Sequence, residues 1–506
     1  MRSRNLLRPS RSALRSRTVA ALAASALVLG TGAAAATGGP PPATTPGPIP
    51  AASGWATITT SDVSSVAQPD LLRMSSAQGS RLLVGWTTSD AVRTRQLTTT
   101  GALSGPVRTV VSGWASLEQR VALVRSGAGY RAVLRGIRTT QPGERYAGAV
   151  TYGTSSDGAA WSLANGALSA TQNGGYALDA LDSGGTLVGA FSSVDDPSRL
   201  FFHVGAETTV PATTPDRRTS APGGPAGYVY EGALARDART GSVWAAWYVG
   251  SSDAAARGIW TQRILPTTST PVRAPGSGTQ VSVEQRVALV ARSGGGLAVA
   301  YPVGYPFVTQ VRLWRVGAST SSSSYVQVAA RDARLVAASP GPSGRVWVAW
   351  ATRYTGAAAT VKAVRTSTTA TRVGSVVRTR PLGAGTVWHI AAEGSRGPLD
   401  VVATSPVDDS SFVTGVFHTQ VRAPLTVVRT PASVDRTTGG TVRVTVTDVG
   451  APVAGATVRY AGRTWTTSAS GVALVRVARG TPVGTKTVTV SRSGYLARSV
   501  TFAVRA

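Results

Sequence analysis

A strand pair recurs about every fifty residues from the sixties to the early 400s of this 506-residue chain. Each copy is an apolar stretch, a small Gly/Ser/Asp turn, and a second apolar stretch ending near an aromatic. The clearest copies are Leu82-Leu83-Val84-Gly85-Trp86, Val243-Trp244-Ala245-Ala246-Trp247, Leu297-Ala298-Val299-Ala300-Tyr301 and Val346-Trp347-Val348-Ala349-Trp350. A short all-strand unit cannot bury its apolar faces alone, so neighbouring copies must stack. The repeat therefore constrains architecture far more tightly than activity.

Second-strand centres fall near Val84, Val133, Val188, Ala245, Val299, Val348 and Val401, spaced 49 to 57 residues apart. That period suits one four-stranded blade per repeat and predicts an all-β fold, a β-propeller of about seven blades over residues 55–423. Trp55 to Thr60 precedes the first repeat and is placed to close the ring by pairing with the last blade. Two copies agree residue by residue: Leu117-Glu118-Gln119-Arg120-Val121-Ala122-Leu123-Val124 recurs, 166 residues on, as Val283-Glu284-Gln285-Arg286-Val287-Ala288-Leu289-Val290. Each is followed by a Gly-rich turn and is expected to form the inner hairpin of its blade. The ARDAR segments at 235–239 and 330–334 stand at different distances from the strand that follows, which marks that match as coincidence.

The termini read differently. Arg2, Arg4, Arg8, Arg11, Arg15 and Arg17, the apolar run Val19 to Leu29 and the small residues Ala34-Ala35-Ala36 form the three parts of a secretory signal peptide over 1–36. The apolar run is short of the ~20 residues a membrane-spanning helix needs, so no transmembrane anchor is expected. Residues 37–54, TGGPPPATTPGPIPAASG, read as an extended linker. Residues 424–506 alternate over Thr441 to Val446, Ala456 to Tyr460, Val472 to Val477 and Lys486 to Val490, with turns at Gly450, Gly462, Gly471 and Gly480. This is the pattern of a small β-sandwich. Within it, Asp448 to Val458, Thr467 to Ala473 and Ser493-Gly494-Tyr495 resemble the bacterial Ig-like family related to carboxypeptidase regulatory domains. That resemblance implies a non-catalytic accessory module; Ala469 and Ser470 stand where members usually carry an Asp.

The formal net charge is +28, falling to +22 without the six arginines of residues 1–36, and only Lys362 and Lys486 are lysines. A strongly cationic exported protein is drawn to anionic polymers. The arginines are spread along the chain with no run of five to eight, which argues against dedicated nucleic-acid binding. There is no Cys, so stability must come from burial rather than disulfides.

Ser155-Ser156-Asp157-Gly158-Ala159-Ala160-Trp161 resembles the Asp-box turn of sialidase-like propellers, one residue short between Asp and Trp. The resemblance implies a structural turn, its Asp accepting backbone N–H groups and its Trp packing between blades. Sialidases add an R-I-P motif, three substrate-holding arginines, a Tyr–Glu pair and an Asp acid. No R-I-P occurs; Leu71-Leu72-Arg73-Met74 stands near its place, and Tyr228-Val229-Tyr230-Glu231 puts a Tyr beside a Glu that reads as a solvated or salt-bridged strand end. Asp179, Asp182, Asp195 and Asp196 read as turn residues.

The candidate ligand-binding residues are Glu118, Arg120, Glu284 and Arg286. If each copy opens an inner strand, Glu and Arg share one face, because i and i+2 do, and Arg there suits acidic or sugar groups; the alternative is a Glu–Arg pair satisfying itself across the channel. His203, His389 and His418 have no ligand spacing, so neither a metal nor a cofactor is expected. The sequence thus predicts a secreted, monomeric, non-catalytic protein, extracellular or loosely wall-associated, that binds a glycan or anionic cell-wall polymer. The rival is a sialidase-like exo-glycosidase or lyase.

Overall fold

The second strand of each repeat is apolar throughout because both of its faces are covered. Every residue of Leu82–Thr87 and Leu297–Val303 is buried, as are all but the last of Val346–Thr352. An alternating strand covers only one face, whereas a continuous apolar run packs against neighbours on two sides. The computed structural model describes residues 49–50, 54–63, 68–137, 149–164, 166–169, 173–193, 196–208, 214–220, 227–279, 287–305, 307–321, 324–330, 333–352, 359–382, 386–407 and 413–506. The segment read as a signal peptide lies outside them, and so does most of the linker; Ile49 and Pro50, within that linker, pair in parallel with Val377 and Arg378.

Between residues 56 and 421 the described strands form seven antiparallel sheets of four strands in sequence order, the sixth extended by Ile49–Pro50. Their first strands are Asp70–Arg73, Ser116–Ser126, Asn173–Ser183, Gly227–Arg236, Ala288–Ala291, Ala333–Pro340 and His389–Glu393. Each lies against the first strand of the next sheet, and the seventh returns to the first. The architecture is all-β and consistent with a propeller. As the sequence indicated, the N-terminal strand Ala56–Val63 supplies the fourth strand of the seventh sheet, Ala56 opposite His418 and Thr57 opposite Phe417.

Burial follows the ring. Seven apolar clusters each join two consecutive sheets, and one of them, with Ile58, Leu71, Val84, Trp86, Ala391, Val402 and Val416, joins the seventh sheet to the first. Trp86, Trp247, Trp314 and Trp347 are fully buried within them. Large-to-small replacement of such a residue costs about 3–5 kcal/mol, which is how a cysteine-free chain holds its sheets together. The turn Ser155–Trp161 links the first two sheets: Asp157 accepts the N–H groups of Ala159 and Ala160 at 2.8 and 3.0 Å, and Trp161 Nε1 donates to Thr94 Oγ1 at 3.1 Å. The two ARDAR segments occupy unlike places: Ala235 and Arg236 end a first strand, whereas Arg334 begins one.

Residues 426–505 form two further sheets. One holds Thr426–Thr430, Gly440–Asp448, Ala451–Pro452 and Val472–Val477; the other holds Ser433–Asp435, Arg498–Arg505, Gly484–Ser491, Thr457–Tyr460 and Arg463–Thr466. Val442, Val444, Val446 and Val475 of the first pack with Val458, Val488, Val490, Phe502 and Val504 of the second. The glycines expected at turns, Gly450, Gly462, Gly471 and Gly480, all have φ between 74° and 85°. This unit is fixed to the sixth sheet by Asp448, which meets Arg345 Nε at 2.9 Å and Arg365 Nη2 at 2.6 Å. The Tyr495 hydroxyl donates to the same carboxylate at 3.2 Å.

Candidate functional site

Four of the first strands are bulged near their beginning, at one end of the ring. In the second sheet, Leu117 and Val121 face Gly136 and Leu134, so residues 118–120 oppose the single residue 135. Equivalent shifts fall between Asn173 and Leu178, at Tyr230 and at Leu335, the last with φ 56°. Bulges break the two-residue alternation and re-aim side chains, and they concentrate beside functional sites. In the second and fourth sheets the shifted stretches carry Arg120 and Glu231.

Arg120 leaves the second sheet and reaches Glu231 of the fourth, with Nη1 3.4 Å from both the Glu231 carboxylate and the Gly232 carbonyl. The ion pair thus spans the third sheet, and Glu231 is 1% exposed. Two aspartates complete the group by one shared device. Asp70 accepts the N–H of Leu71 at 2.9 Å and, from the next sheet, that of Leu123 at 2.7 Å. Asp179 accepts the N–H of Ala180 at 2.9 Å and, again from the next sheet, that of Leu234 at 2.7 Å. Arg120 and Glu231 each stand three residues before the leucine so held, which places them at matching heights.

Burial sets the electrostatics of Asp179. Burial raises the Asp179 carboxyl above the usual carboxylate range; Arg120 and the Leu234 N–H oppose the shift, and the charge of Asp70 adds to it. A carboxyl whose pKa is raised by burial, near a second carboxylate and an arginine, is of the kind that serves in proton transfer while its neighbours orient a ligand. Beside Glu231, Tyr228 is 59% exposed. Its ring centroid lies 6.2 Å from that of Tyr230, which lies 6.1 Å from that of Tyr248. A Cβ at Gly250 would sit 2.5 Å from the Tyr230 ring, so any larger residue there would displace that ring.

Of the four expected ligand-binding residues, the structure places Arg120 in this cluster. Glu118 lies in the same strand, with its side chain outside the described set, and Glu284 and Arg286 lie outside the described residues. The expectation that Glu118 and Arg120 share a face assumed a regular strand, and the bulge at 118–120 removes its basis. Arg120 does pair with a glutamate across the ring, but that glutamate is Glu231. Of the two readings of Glu231, a solvated or a salt-bridged strand end, the structure shows the salt bridge, to Arg120, with Glu231 buried. Asp179 is a strand residue stapling two sheets; Asp182, near the end of the same strand, accepts Gly185 N–H at 2.8 Å from the turn that follows. Asp196 binds Arg199 at 3.0 Å, and Asp195 is outside the described residues. Asp70 drew no attention in the sequence because a lone Asp at a strand start carries no local signal.

Arg73 belongs to the opposite end of the ring, donating to Glu393 at 2.7 Å and Asp400 at 2.6 Å. His418 meets Asp400 at 3.0 Å, and His203 meets Asp216 at 2.9 Å. Among the described residues no group of three or more His, Asp or Glu is placed to hold a metal ion, and no helix is long and apolar enough to cross a membrane.

No protein family and no curated protein matches the chain. Solved structures overlap it at low similarity. A polysaccharide lyase of family PL25, an ulvan lyase, does so with TM-score 0.42 at 9% identity, over 70% of this chain and 94% of the lyase. AofleA from Arthrobotrys oligospora gives 0.37 at 9% identity over 65% and 94%, and a GH43_1 enzyme from Xanthomonas citri gives 0.33 at 9% identity over 73% and 90%. None of these overlaps is close enough to transfer a site or an activity.

Proposed function

We propose that the protein is a secreted, glycan-directed β-propeller of seven blades, residues 55–423, followed by an Ig-like accessory module, residues 424–506. In this reading it cleaves extracellular glycans as an exo-acting glycosidase or lyase at the end of the ring where the first strands begin. One observation carries the proposal: Asp179, its carboxyl pushed up by burial, sits with Asp70, Arg120 and Glu231 on three successive bulged or stapled first strands and one beyond them. A buried carboxyl whose pKa is raised beside a specific charged partner marks a candidate active site. Asp179 would supply the proton and Arg120 would meet an acidic substituent of the sugar. Tyr228 offers a ring on which a sugar stacks. The turn at Asp157, with its backbone hydrogen bonds and inserted Trp161, supports the Asp-box likeness and the propeller, though not the chemistry.

The test is release of sugar from a panel of neutral, uronate-containing and sialylated glycans by the wild type, Asp179→Asn and Glu231→Gln. Proton-transfer residues contribute about 10²–10⁴-fold, so Asp179→Asn should lose turnover by that factor in protein shown by its circular dichroism to be folded at the assay temperature, even though the amide keeps only one of the two acceptors that hold Ala180 and Leu234. Turnover unchanged by the substitution defeats the assignment. A second reading, binding without cleavage, is favoured by a separate observation: both oxygens of Asp70 and of Asp179 already accept backbone N–H groups. Retained glycans with no released sugar would select it. Glu118, Glu284 and Arg286 remain proposed contributors to ligand contact in either reading.

A further inference from the structure

The junction between the seventh sheet and the C-terminal sheets holds a second charged feature, at the end of the ring away from Asp179. Ala423 and Pro424 pair in parallel with Tyr495 and Leu496, and a side chain at Gly494 would lie in ordinary contact with Pro398, in the turn joining the first two strands of the seventh sheet. A cleft of about 510 Å³ opens beside this seam, lined by Arg422 from one side and by Thr457, Ser491, Arg492, Ser493 and Tyr495 from the other. Its size falls within the range of small-ligand sites.

The cleft is built for a negative ligand. None of its described lining residues is acidic, and neither Arg422 nor Arg492 has an ion pair among the described residues. Both are exposed. Arg492 spends one N–H on the Gly455 carbonyl at 2.7 Å and keeps the rest of its fork. Behind the wall, Tyr495 lies with its ring 4.7 Å from the Arg365 guanidinium carbon. There Arg345 and Arg365 share the single carboxylate of Asp448, so the ground beneath the cleft carries an excess of positive charge. A planar guanidinium binds the two oxygens of a carboxylate or phosphate by parallel hydrogen bonds, and the serine and threonine hydroxyls can serve the rest of a sugar-sized unit.

We infer that this seam is an oxyanion-binding site for an acidic sugar unit, in which Arg422 and Arg492 grip the anionic group. The ligand class is a glycan or wall polymer bearing phosphate or carboxylate, held at a place distinct from the ring face. The site needs both the end of the ring and the C-terminal sheets, which gives the C-terminal unit a role in binding as well as in spacing.

The experiment is calorimetric titration of the full chain with glycerol 3-phosphate, glucuronate and uncharged glucose, at low and at physiological salt. Saturable binding of glycerol 3-phosphate or glucuronate, with none of glucose, is expected, and the stronger of the two identifies a phosphate or a carboxylate source. A hydrogen bond to a charged group contributes enough that its loss weakens binding about tenfold or more. Arg422→Gln and Arg492→Gln should each weaken it by that factor, and Asp179→Asn should leave it unchanged. Among the described residues the Arg422 side chain makes no hydrogen bond or ion pair, so its variant separates binding from folding. Arg476→Gln, at an exposed position on the other C-terminal sheet, is the control for net charge. The inference is overturned if neither anion saturates, or if Arg476→Gln weakens binding as much as Arg422→Gln. Loss of sugar release in Asp179→Asn bears only on the ring face, so the two readings fail separately.

Discussion

Asp448→Asn is the substitution that most directly tests how the C-terminal sheets are held. The Asp448 and Arg365 side chains are each 1% exposed, and that of Arg345 is 8% exposed. The carboxylate receives both guanidiniums and the Tyr495 hydroxyl, and Arg365 also lies 5.2 Å from the centre of the Trp347 ring. Replacing the carboxylate by an amide keeps the shape but leaves two buried cations facing one another. Breaking a buried ion pair from one side costs about 3–5 kcal/mol, because the partner remains desolvated and uncompensated. Removing the arginines as well, in Asp448→Asn with Arg345→Met and Arg365→Met, should recover most of that loss, since apolar groups of similar volume tolerate burial. Urea denaturation followed by tryptophan fluorescence and by calorimetry reads both effects. The single variant should also separate unfolding of the C-terminal unit from that of the ring, because the lock joins them. A loss below about 1 kcal/mol, or a triple variant as unstable as the single one, would refute a charge-based lock.

Two further outcomes follow from local geometry. Gly101 has φ +85°, and an added Cβ would lie 2.1 Å from the His418 ring; Gly101→Ala should therefore cost about 1–3 kcal/mol, read as a lowered thermal midpoint, and an unchanged midpoint would mean the loop is placed otherwise. The N–H groups of Ala159, then Ala160, hold the Asp157 carboxyl below its usual value of 3.8. A carboxyl depressed in the folded state stabilises the fold above its unfolded pKa, and this contribution is lost as pH falls through the depressed value. An acid titration of Trp161 fluorescence should show that loss in the wild type and not in Asp157→Asn; identical acid limbs would dismiss the turn as a source of stability.

The ring was legible because its signal is local and repeated. A second strand covered on two faces, such as Val346–Thr352, has to be apolar throughout, and the tight turn before it has to be small and polar. The closing role of the N-terminal strand was legible too, since one strand stood in excess before the first repeat. The cluster at the ring face was legible only where it was repeated or adjacent: Arg120 through its copy at Arg286, Glu231 through the neighbouring tyrosines. Asp70 and Asp179 take their character from leucines 53 and 55 residues away, and no local pattern records such a partner. The bulges that aim Arg120 and Glu231 were invisible for the same reason, because a register shift is a property of a strand pair. Asp448 likewise sat inside a motif that accounts for a β-turn, while its partners Arg345 and Arg365 lie in the sixth sheet.

The charge balance acquires a different meaning once the acids are placed. The chain has 23 acidic residues against 51 basic ones, and the acids described in detail are committed to structure. Asp70 and Asp179 staple first strands; Asp157, Asp182, Asp237, Asp253 and Asp435 accept backbone N–H groups in turns; Glu231, Glu393, Asp400 and Asp448 face arginines inside the fold. Those last four acids are matched by Arg73, Arg120, Arg345 and Arg365, so the formal excess of +28 belongs to the rest of the chain. An attraction of that origin weakens as salt shortens the screening length to about 8 Å at physiological strength, whereas a guanidinium gripping an oxyanion inside a cleft is screened much less. Salt dependence therefore separates the diffuse attraction of the surface from the seam at Arg422 and Arg492.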